Sequence, residues 1–324
     1  MKAALCKSLD GPETIVIEDI ADPVPGPGEV VVRVRAAALN FLDTLITRGK
    51  YQFKPDLPFS PAAEIAGVVE AVGAGVDDLK PGQRVCGYIA WGGAREKVAV
   101  PAKLMIPVPE GVSDAAAAGI SVTYGTAMHG LKDRGGLKAG ESVAVLGASG
   151  GAGLAAVEIA KLLGARVIAV ASSAEKLSIC RDHGADELLN YTTTDLKTGL
   201  RELTGGKGVD VVYDCVGGEY SEAALRSIAW GGRLLVIGFA AGTIPKIPLN
   251  LFLLKNAAAI GVFWGEMIMR EPEQHRANMI DVLKWCAEGR LKPHVHATYP
   301  LGRIGEAIMA LEKRQVSGKL IVEI

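Results

Sequence analysis

The amino-terminal third of the chain alternates apolar and polar residues with a period of two. In EVVVRVRAA, the valines at positions 30, 32 and 34 fall on one side and Arg33 and Arg35 on the other, a pattern typical of a half-buried strand. EIAGVVEAVGAGV and REKVAVPA also predict strands, separated by turns such as KPGQRV. Many short strands with little helix predict an irregular barrel or sandwich.

The pattern changes after about residue 109. SDAAAAGISVTYGTAMHGL begins with Ser113, a favoured N-cap residue, and continues with helix formers. Beyond Ser142 strands and helices alternate, which predicts βαβ units and a parallel sheet. The predicted strands are SVAVL, RVIAVA, VDVVYDCV, RLLVIG and AAAIGVFW, and the predicted helices span about 150–163, 174–182, 195–203 and 219–229. The final strand, KLIVEI, is expected to return to the first domain.

We therefore expect an α/β protein with a β-rich domain over residues 1–120, completed by 290–324, and a doubly wound parallel-sheet domain over 121–289. The 324 residues carry a net charge of −1, which gives no broad attraction to nucleic acid or anionic membranes. The amino terminus lacks a signal-peptide pattern, and no segment is apolar enough to span a membrane. Five scattered cysteines are typical of reduced thiols and predict a cytoplasmic protein.

The first strand of the predicted parallel sheet runs into the glycine-rich turn VLGASGGAG. Gly147 permits a tight turn, and Gly153 lets the following helix approach the strand. Gly150 and Gly151 lack the Cβ atoms that would hold a pyrophosphate away from the backbone. The spacing is one residue longer than G-x-G-x-x-G. A flexible turn is the alternative, but the complete βαβ context favours dinucleotide binding.

The end of the second parallel strand carries no acidic residue. Many NAD-binding proteins have Asp or Glu there to bind the ribose 2′-hydroxyl, whereas this chain has Ala171, Ser172 and Ser173, followed by Lys176. A carboxylate would repel a 2′-phosphate, while hydroxyls and an ammonium group would bind it. The pattern predicts NADPH as the cofactor. The alternative is that Lys176 is an ordinary solvated helix residue.

Several stretches spread along the whole chain resemble the zinc-free NADPH:quinone oxidoreductases of the ζ-crystallin type, within the medium-chain dehydrogenase/reductase superfamily. They are AALNFLDTLITRGKY, PFSPAAEIAGVVEAVG, PGQRV, VTYGTAMHGL, GASGGAG, ADELLNY, VDVVYDCVGG, GFAAG and SGKLIVEI. The resemblance implies a GroES-like catalytic domain, a Rossmann domain and a cleft between them. It also implies a homodimer, or a dimer of dimers, paired through the edge of the Rossmann sheet.

The chain lacks the residues that zinc-dependent relatives use. The first zinc ligand there is a cysteine at the position that Asn40 matches, and a histidine is expected at Ala63, before Glu64. No four closely spaced cysteines are present for a structural zinc. His294 and His296 are a close pair without a thiol partner and fit alternate positions of a strand. We expect no bound metal.

The resemblance also implies site residues. Asn40 would lie near the nicotinamide ribose and substrate, Asp43 would orient its loop, and Tyr51 would donate to the substrate oxygen or simply form a pocket wall. For Trp264 and Lys319, a packed aromatic residue and an exposed lysine are the alternatives. The predicted cofactor-binding residues are Asn40, Thr126, Ser149, Gly150, Gly151, Ala152, Ser172, Ser173, Lys176, Tyr191, Val216, Phe239, Phe263, Trp264 and Lys319.

Without a metal, the expected chemistry is hydride transfer from NADPH to a conjugated acceptor whose charge moves to a distant oxygen. A quinone is the leading substrate. An enone, enal or acryloyl-type compound is the alternative, and Arg48, Lys50 and Lys54 leave a CoA thioester open. A different class is a non-catalytic NADPH-binding protein of the crystallin or RNA-binding kind. No basic stripe with interleaved aromatics is present, so we expect no nucleic-acid partner.

Overall fold

Two large β-sheets organise the protein, which we describe over residues 1–324 from a computed structural model. The chain divides into a β-rich unit (residues 1–122 and 279–324) and a parallel-sheet unit (residues 123–278). The second division falls earlier in the chain than the boundary expected at residue 290.

The strands are β1 (Lys2–Leu5), β2 (Val16–Asp19), β3 (Glu29–Leu39), β4 (Glu64–Val72), β5 (Arg84–Tyr88), β6 (Lys97–Pro101), β7 (Met105–Pro107), β8 (Ser142–Leu146), β9 (Arg166–Ala171), β10 (Glu187–Asn190), β11 (Val209–Asp214), β12 (Ile228–Val236), β13 (Ala258–Gly261), β14 (Val295–Pro300) and β15 (Lys319–Glu323). The α-helices are α1 (Phe41–Ile46), α2 (Asp114–Ala118), α3 (Ser121–Ala127), α4 (Gly151–Leu162), α5 (Ala174–Asp182), α6 (Leu196–Leu203), α7 (Glu219–Leu225), α8 (Asn250–Lys255), α9 (Trp264–Arg270), α10 (Pro272–Ala287) and α11 (Ile304–Glu312). A π-helical segment, Met128–Arg134, follows α3.

Strand β3 is the centre of the β-rich unit. Its even-numbered valines are buried, whereas Arg33 and Arg35 are exposed, which confirms the predicted alternation. The sheet has seven strands in the order β14-β15-β3-β4-β5-β7, and β6 also pairs with β3. Strands β1 and β2 form a separate two-stranded sheet. The apolar faces of β3 and β4 pack against β15 and α11 in one buried cluster.

The register of β3 brings three distant chain segments to one end of this sheet. Leu39 pairs with Leu320 on antiparallel β15, and Ala38 pairs with Glu64 on antiparallel β4. Asn40, the residue after Leu39, therefore lies beside both Lys319 and Glu64. The prediction that KLIVEI joins the first sheet is confirmed, and this pairing builds part of the candidate site.

The parallel-sheet unit has six parallel strands in the order β10-β9-β8-β11-β12-β13. Counted from β8, this is the order 3-2-1-4-5-6 of a dinucleotide-binding Rossmann fold. Strand β8 is buried along its whole length, as expected for a strand covered on both faces. The α/β fold class with a Rossmann-type domain is thus confirmed.

Most predicted elements are observed, with two differences of extent. The predicted helix 219–229 ends at Leu225, because Ile228 pairs with Val209 and begins β12. The predicted strand AAAIGVFW ends at Gly261, and Trp264 already begins α9. Ser113 caps α2 as predicted, since its side chain accepts a hydrogen bond from the Ala116 N–H at 3.2 Å.

Two further observations bear on the setting of the protein. No helix combines the length and the apolar character needed to cross a membrane. All five cysteines are free. The cytoplasmic location stays a prediction.

Candidate active site

The glycines of the turn after β8 are needed for two different reasons. Gly147 has φ +71°, which favours a residue without a side chain, and a Cβ added to Gly153 would lie 2.2 Å from the Gly147 carbonyl oxygen. A Cβ added to Gly150 would meet only that oxygen, at 3.4 Å. Gly153 is therefore required for close packing inside the protein, whereas Gly150 faces open space where a ligand fits.

Helix α4 begins at this turn without a side-chain cap. Its first N–H groups are therefore not used by a capping side chain, as a phosphate-binding helix end requires. The Gly150 N–H is not among these groups, because it donates to the Gly147 carbonyl at 3.0 Å. Gly151 and Ala152 form the first turn of α4, and Ser149 is buried beside it. The turn fits a pyrophosphate, with Gly150 contributing space instead of a donor.

Polar side chains gather at the end of β9. The Lys176 ammonium donates to the Ser172 hydroxyl at 3.4 Å, and the Thr192 hydroxyl donates to the Ser172 carbonyl at 3.4 Å. The Ser173 hydroxyl accepts from the Lys176 N–H at 3.2 Å and caps α5. Tyr191 lies next along the chain to Thr192, and its N–H donates to the Ala171 carbonyl at 3.2 Å. Ser172, Lys176 and Thr192 thus lie together, whereas Tyr191 joins this segment through its backbone and its ring packs against Tyr220, with ring centroids 4.9 Å apart.

The buried Asp214 holds the loop after β11 through its carboxylate and the start of the loop after β12 through its carbonyl, which accepts from the Ile237 and Gly238 N–H groups at 3.0 and 3.2 Å. Asp214 accepts from the N–H groups of Val216 and Gly217 at 2.8 and 2.9 Å, and from the Ser221 hydroxyl at 2.5 Å. Gly217 has φ +73°, and a Cβ there would lie 2.8 Å from the ring of Phe239. The predicted residues Val216 and Phe239 therefore sit on adjoining loops that Asp214 helps to hold.

The predicted aromatic residues after β13 lie in different surroundings. Phe263 is exposed, whereas Trp264 is buried. The Trp264 ring packs edge-on against His275, with ring centroids 5.5 Å apart, and a Cβ on Gly125 would lie 2.6 Å from the indole nitrogen. These contacts favour the core interpretation of Trp264. Thr126 follows Gly125 in α3 and is half-buried.

In the β-rich unit, Asn40 and Asp43 join β3 to α1. The Asp43 carboxylate accepts from the Asn40 N–H at 2.8 Å and from the Ala62 N–H at 2.9 Å. Burial raises the pKa of Asp43 to about 6, against the two backbone donors and Lys319, which lower it. Ala62 has φ +70°, so the carboxylate holds an unusual turn. The Asp43 carboxylate thus fastens the start of α1 to the turn at Ala62.

The Asn40 side chain lies in a buried charged cluster. Lys319 Nζ donates to Asn40 Oδ1 and to Glu64 Oε1, both at 2.6 Å, and Asn40 Nδ2 donates to Glu64 Oε1 at 2.9 Å. The Val122 N–H donates to Glu64 Oε2 at 2.8 Å. Lys319 is only 4 % exposed and Glu64 is 0 % exposed. Lys319 is therefore a buried lysine, and the exposed-lysine alternative is excluded.

Two tyrosines lie near this cluster. Tyr51 is half-buried, its ring centroid is 6.0 Å from that of Phe53, and burial raises its pKa. Tyr88 pairs with Glu64 across β4 and β5, and burial followed by the neighbouring Tyr51 raises its pKa also. Phenols with raised pKa values stay protonated at neutral pH, so these groups are suited to donating hydrogen bonds.

The residues in the β-rich unit do not fit a zinc ion. No group of three or more His, Cys, Asp or Glu side chains is placed to hold a metal. Glu64, the carboxylate that is hydrogen-bonded to the Asn40 side chain, already receives the Lys319 ammonium. A second cation would meet the repulsion of that ammonium, and Asn40 is a poor substitute for a thiolate ligand.

Sequence reasoning missed several residues of these arrangements. They are Glu64, Tyr88, Thr192 and Asp214. The hydroxyl-rich run NYTT after β10 was a usable signal for Thr192, because polar residues at the carboxyl ends of parallel strands are placed for ligand binding. No local pattern marked Glu64 as a partner of Lys319, which is 255 residues away.

Comparison with known proteins gives consistent matches over both units. Residues 26–110 match the alcohol dehydrogenase GroES-like domain family, and residues 151–285 match the zinc-binding dehydrogenase family. The chain is 38 % identical over its full length to quinone oxidoreductase-like protein 2 of Bos taurus, covering 92 % of that protein. It is 33 % identical to the quinone oxidoreductase of Homo sapiens, over 95 % of this chain and 92 % of that one. The structure of Escherichia coli quinone oxidoreductase complexed with NADPH superposes with a TM-score of 0.92 at 29 % identity, covering all of both chains.

Proposed function

We propose that this chain, which belongs to the quinone oxidoreductase family of medium-chain dehydrogenases/reductases, is a metal-independent reductase that uses NADPH to reduce a quinone. The chain is an NAD(P)H-binding oxidoreductase by family. The preference for NADPH and the quinone substrate are the proposal. The observation that carries the proposal of metal-independent reduction is the position of the Asn40 amide. Lys319 and Glu64 hold this amide where a zinc-dependent relative would need a thiolate ligand.

The preference for NADPH is supported by the charge at the end of β9. Ser172, Lys176 and Thr192 present hydroxyl and ammonium groups there. A 2′-phosphate accepts hydrogen bonds from both kinds of group, and the lysine adds charge attraction. The uncapped first turn of α4 would hold the pyrophosphate, with the space at Gly150 admitting it.

The substrate-side residues supply donors without a metal. Bound NADPH supplies the hydride. As the acceptor is reduced, negative charge develops on its carbonyl oxygen, and preorganised N–H or O–H donors lower the energy of that charge. The Asn40 amide and the Tyr51 hydroxyl are the donors proposed for this role, and Asp43 holds the turn that carries Asn40. Thr126, Val216, Phe239 and Phe263 are proposed as further cofactor contacts.

The test is a set of initial rates with NADPH and NADH, each with 1,4-naphthoquinone and with 2-cyclohexenone, in the presence of a metal chelator. We expect turnover with NADPH and quinone that the chelator does not reduce. Turnover of the enone alone would instead establish the double-bond reductase. Tight NADPH binding without turnover of either compound would establish the non-catalytic binding protein.

A matched pair of variants tests the role of Tyr51. Tyr51→Phe removes one hydroxyl, and loss of a hydrogen bond worth about 1.4 kcal/mol in the transition state lowers kcat about tenfold. Tyr299→Phe removes a hydroxyl from β14 in the same β-rich unit and should leave kcat unchanged. Equal rates for Tyr51→Phe and the unaltered protein would assign Tyr51 to a pocket wall.

One of the three cationic side chains that would bind the phosphates of a CoA thioester is already paired within the protein. Arg48 donates to Glu312 at 2.6 and 3.0 Å and to Glu13 at 3.1 Å. Its charge is therefore neutralised within the protein and is not free to bind a phosphate. Lys50 and Lys54 alone make a weak phosphate site, which favours an uncharged quinone over a CoA thioester.

We also propose that the protein forms a homodimer through β13. This strand lies at the edge of the parallel sheet and is largely exposed, and free edges readily pair with another strand. Helix α8 is apolar on both sides: Leu251 and Phe252 pack on the core, while Leu249 and Leu253 are 80 % and 78 % exposed. A second copy of the same surface covers both features, because a twofold axis brings identical patches together.

Sedimentation velocity tests the homodimer. Replacing Leu253 and Leu254 with lysine places charges on the exposed side of α8 and should convert the dimer to a monomer. Val24→Lys, at an exposed apolar position of the β-rich unit, is the control and should remain dimeric. A monomeric unaltered protein at micromolar concentration would contradict the proposal.

A further inference from the structure

The orientation of the Asn40 amide is determined by two charged neighbours. A lysine ammonium can only donate hydrogen bonds, and a carboxylate can only accept them. The partner at 2.6 Å from Lys319 Nζ must therefore be the Asn40 oxygen, and the partner at 2.9 Å from Glu64 Oε1 must be the amide nitrogen. The reversed amide would set N–H against the ammonium and oxygen against the carboxylate.

We infer that Lys319 and Glu64 are positioning residues, which lock the Asn40 amide in one orientation so that its remaining N–H is aimed at the ligand. This inference rests on the proposed function for its catalytic consequence. It assigns Lys319 a role different from direct contact with the cofactor. It also assigns a role to Glu64, which the sequence patterns did not include in the site.

The cluster is rigid because its charges are buried and satisfied. Glu64 uses one oxygen for Lys319 and Asn40, and the other for the Val122 N–H at 2.8 Å. Burying an ion pair is costly unless further hydrogen bonds satisfy both groups, and these bonds meet that requirement. The register of β3 with β4 and β15 fixes the backbone of all three side chains, so the amide has little freedom to rotate.

The hydrogen bonds to Lys319 and Glu64 leave one N–H of the Asn40 side chain for a ligand. The Asn40 Nδ2 group has two hydrogens, of which one is given to Glu64. The other hydrogen is available to the acceptor oxygen of the substrate. A donor held in place before the reaction does not spend free energy on reorientation, so it stabilises developing negative charge more effectively than a mobile one.

The first experiment uses the double variant Glu64→Gln with Lys319→Met, which removes both charges together and avoids leaving one buried and unpaired. We expect kcat with NADPH and quinone to fall about tenfold to a hundredfold, since small misplacements of a catalytic group have effects of this size. The dissociation constant for NADPH should stay within twofold. Lys313→Met, an exposed lysine on the same chain segment, is the control and should match the unaltered protein.

The opposite pattern overturns the inference. A tenfold weaker NADPH affinity with unchanged kcat would show that Lys319 contacts the cofactor. An unchanged kcat and an unchanged affinity would show that the cluster has only a structural role. If the double variant does not fold, Glu64→Gln with Lys319→Gln tests the same point, because two neutral glutamine side chains can each donate or accept and permit the reversed Asn40 amide.

The second experiment needs no substrate and no cofactor. The side-chain amide signals of Asn40 are assigned in a ¹H–¹⁵N spectrum by comparison with Asn40→Ala. We expect the two amide hydrogens to exchange slowly with solvent in the unaltered protein and rapidly in the double variant. Equal exchange rates in both proteins would overturn the inference. This measurement distinguishes the two proposals, because it holds even if no quinone is reduced.

Discussion

Each of the two units has candidate site residues, and these are of different kinds in the two units. The parallel-sheet unit uses backbone groups and missing side chains: an uncapped helix end, a positive φ at Gly147 and open space at Gly150. The β-rich unit uses buried side chains, since Asn40, Glu64 and Lys319 bond to one another out of contact with water. A binding loop made of backbone can be recognised locally, whereas a side-chain cluster depends on how distant strands pair.

The difference also determines what each part tolerates. Backbone donors remain present whatever the side chains are, so the cofactor loop is sensitive mainly to added volume. The charged cluster is sensitive to the removal of either Lys319 or Glu64, because the remaining charge is left buried without its partner. Four predictions, in decreasing order of magnitude, test this contrast.

The single variant Lys319→Met should have the largest effect on stability. It leaves the Glu64 carboxylate, 0 % exposed, without its cation. Breaking a buried ion pair in this way costs about 3–5 kcal/mol. Urea unfolding followed by circular dichroism measures this loss. Adding Glu64→Gln to Lys319→Met should restore much of the stability, and failure to do so would mean that charge is not the cause.

Asp43 should make stability depend on pH between about 4 and 6. Burial raises its pKa from 3.8 to about 6 in the folded protein, so the folded state holds a proton that the unfolded chain has released. Stability therefore falls as pH rises through this range, by up to about 3 kcal/mol, and is flat above it.

The measurement for Asp43 is the difference in unfolding free energy between the unaltered protein and Asp43→Asn from pH 4 to 7. Taking the difference removes the contributions of the other carboxylates, many of which have the opposite sign. A difference that does not change across this range would show that Asp43 is ionised throughout it, held by its backbone donors.

Gly153→Ala should destabilise the parallel-sheet unit by about 2 kcal/mol, because the new methyl group would overlap the Gly147 carbonyl and such overpacking typically costs 1–3 kcal/mol. Gly150→Ala is the matched control, since its methyl group makes only ordinary contact within the protein. We expect Gly150→Ala to keep the thermal midpoint and to weaken NADPH binding. Similar thermal midpoints for the two variants would contradict the assigned roles of these glycines.

Ser172→Asp should produce the smallest of these changes and the most selective one. A carboxylate beside Lys176 removes the charge attraction for a 2′-phosphate, so NADPH affinity should fall about tenfold, or 1.4 kcal/mol, while NADH affinity is kept. Fluorescence titration measures both constants. Ser178→Asp, at an exposed position of α5 near Lys176, should change neither the NADPH nor the NADH dissociation constant. Unchanged NADPH affinity in Ser172→Asp would remove the support for NADPH.

The sequence predicts the parallel-sheet unit well because its signals are local. Strands β8 and β9 begin and end where the apolar runs SVAVL and RVIAVA do. The predicted helix over 219–229 extended too far for a non-local reason. Pairing of Ile228 with Val209 draws this segment into the sheet, and such pairing overrides local helix propensity.

The candidate site in the β-rich unit was predicted only in part. Asn40, Asp43 and Tyr51 came from family resemblance, and Asp43 holds its loop as expected. The partnership of Lys319 with Glu64 was not predicted, because only the β3–β15 and β3–β4 registers bring them together. A lysine before a strand carries no sign in the sequence of whether it is buried.

The placement of the parallel-sheet unit within the chain has a consequence for synthesis. Asn40 and Lys319 are separated by 279 residues, and the whole of the parallel-sheet unit is translated between them. That unit is continuous in sequence and can fold as soon as it leaves the ribosome. Until β15 is made, Glu64 has no Lys319 beside it, so the buried charge cluster of the β-rich unit is the last part to be completed.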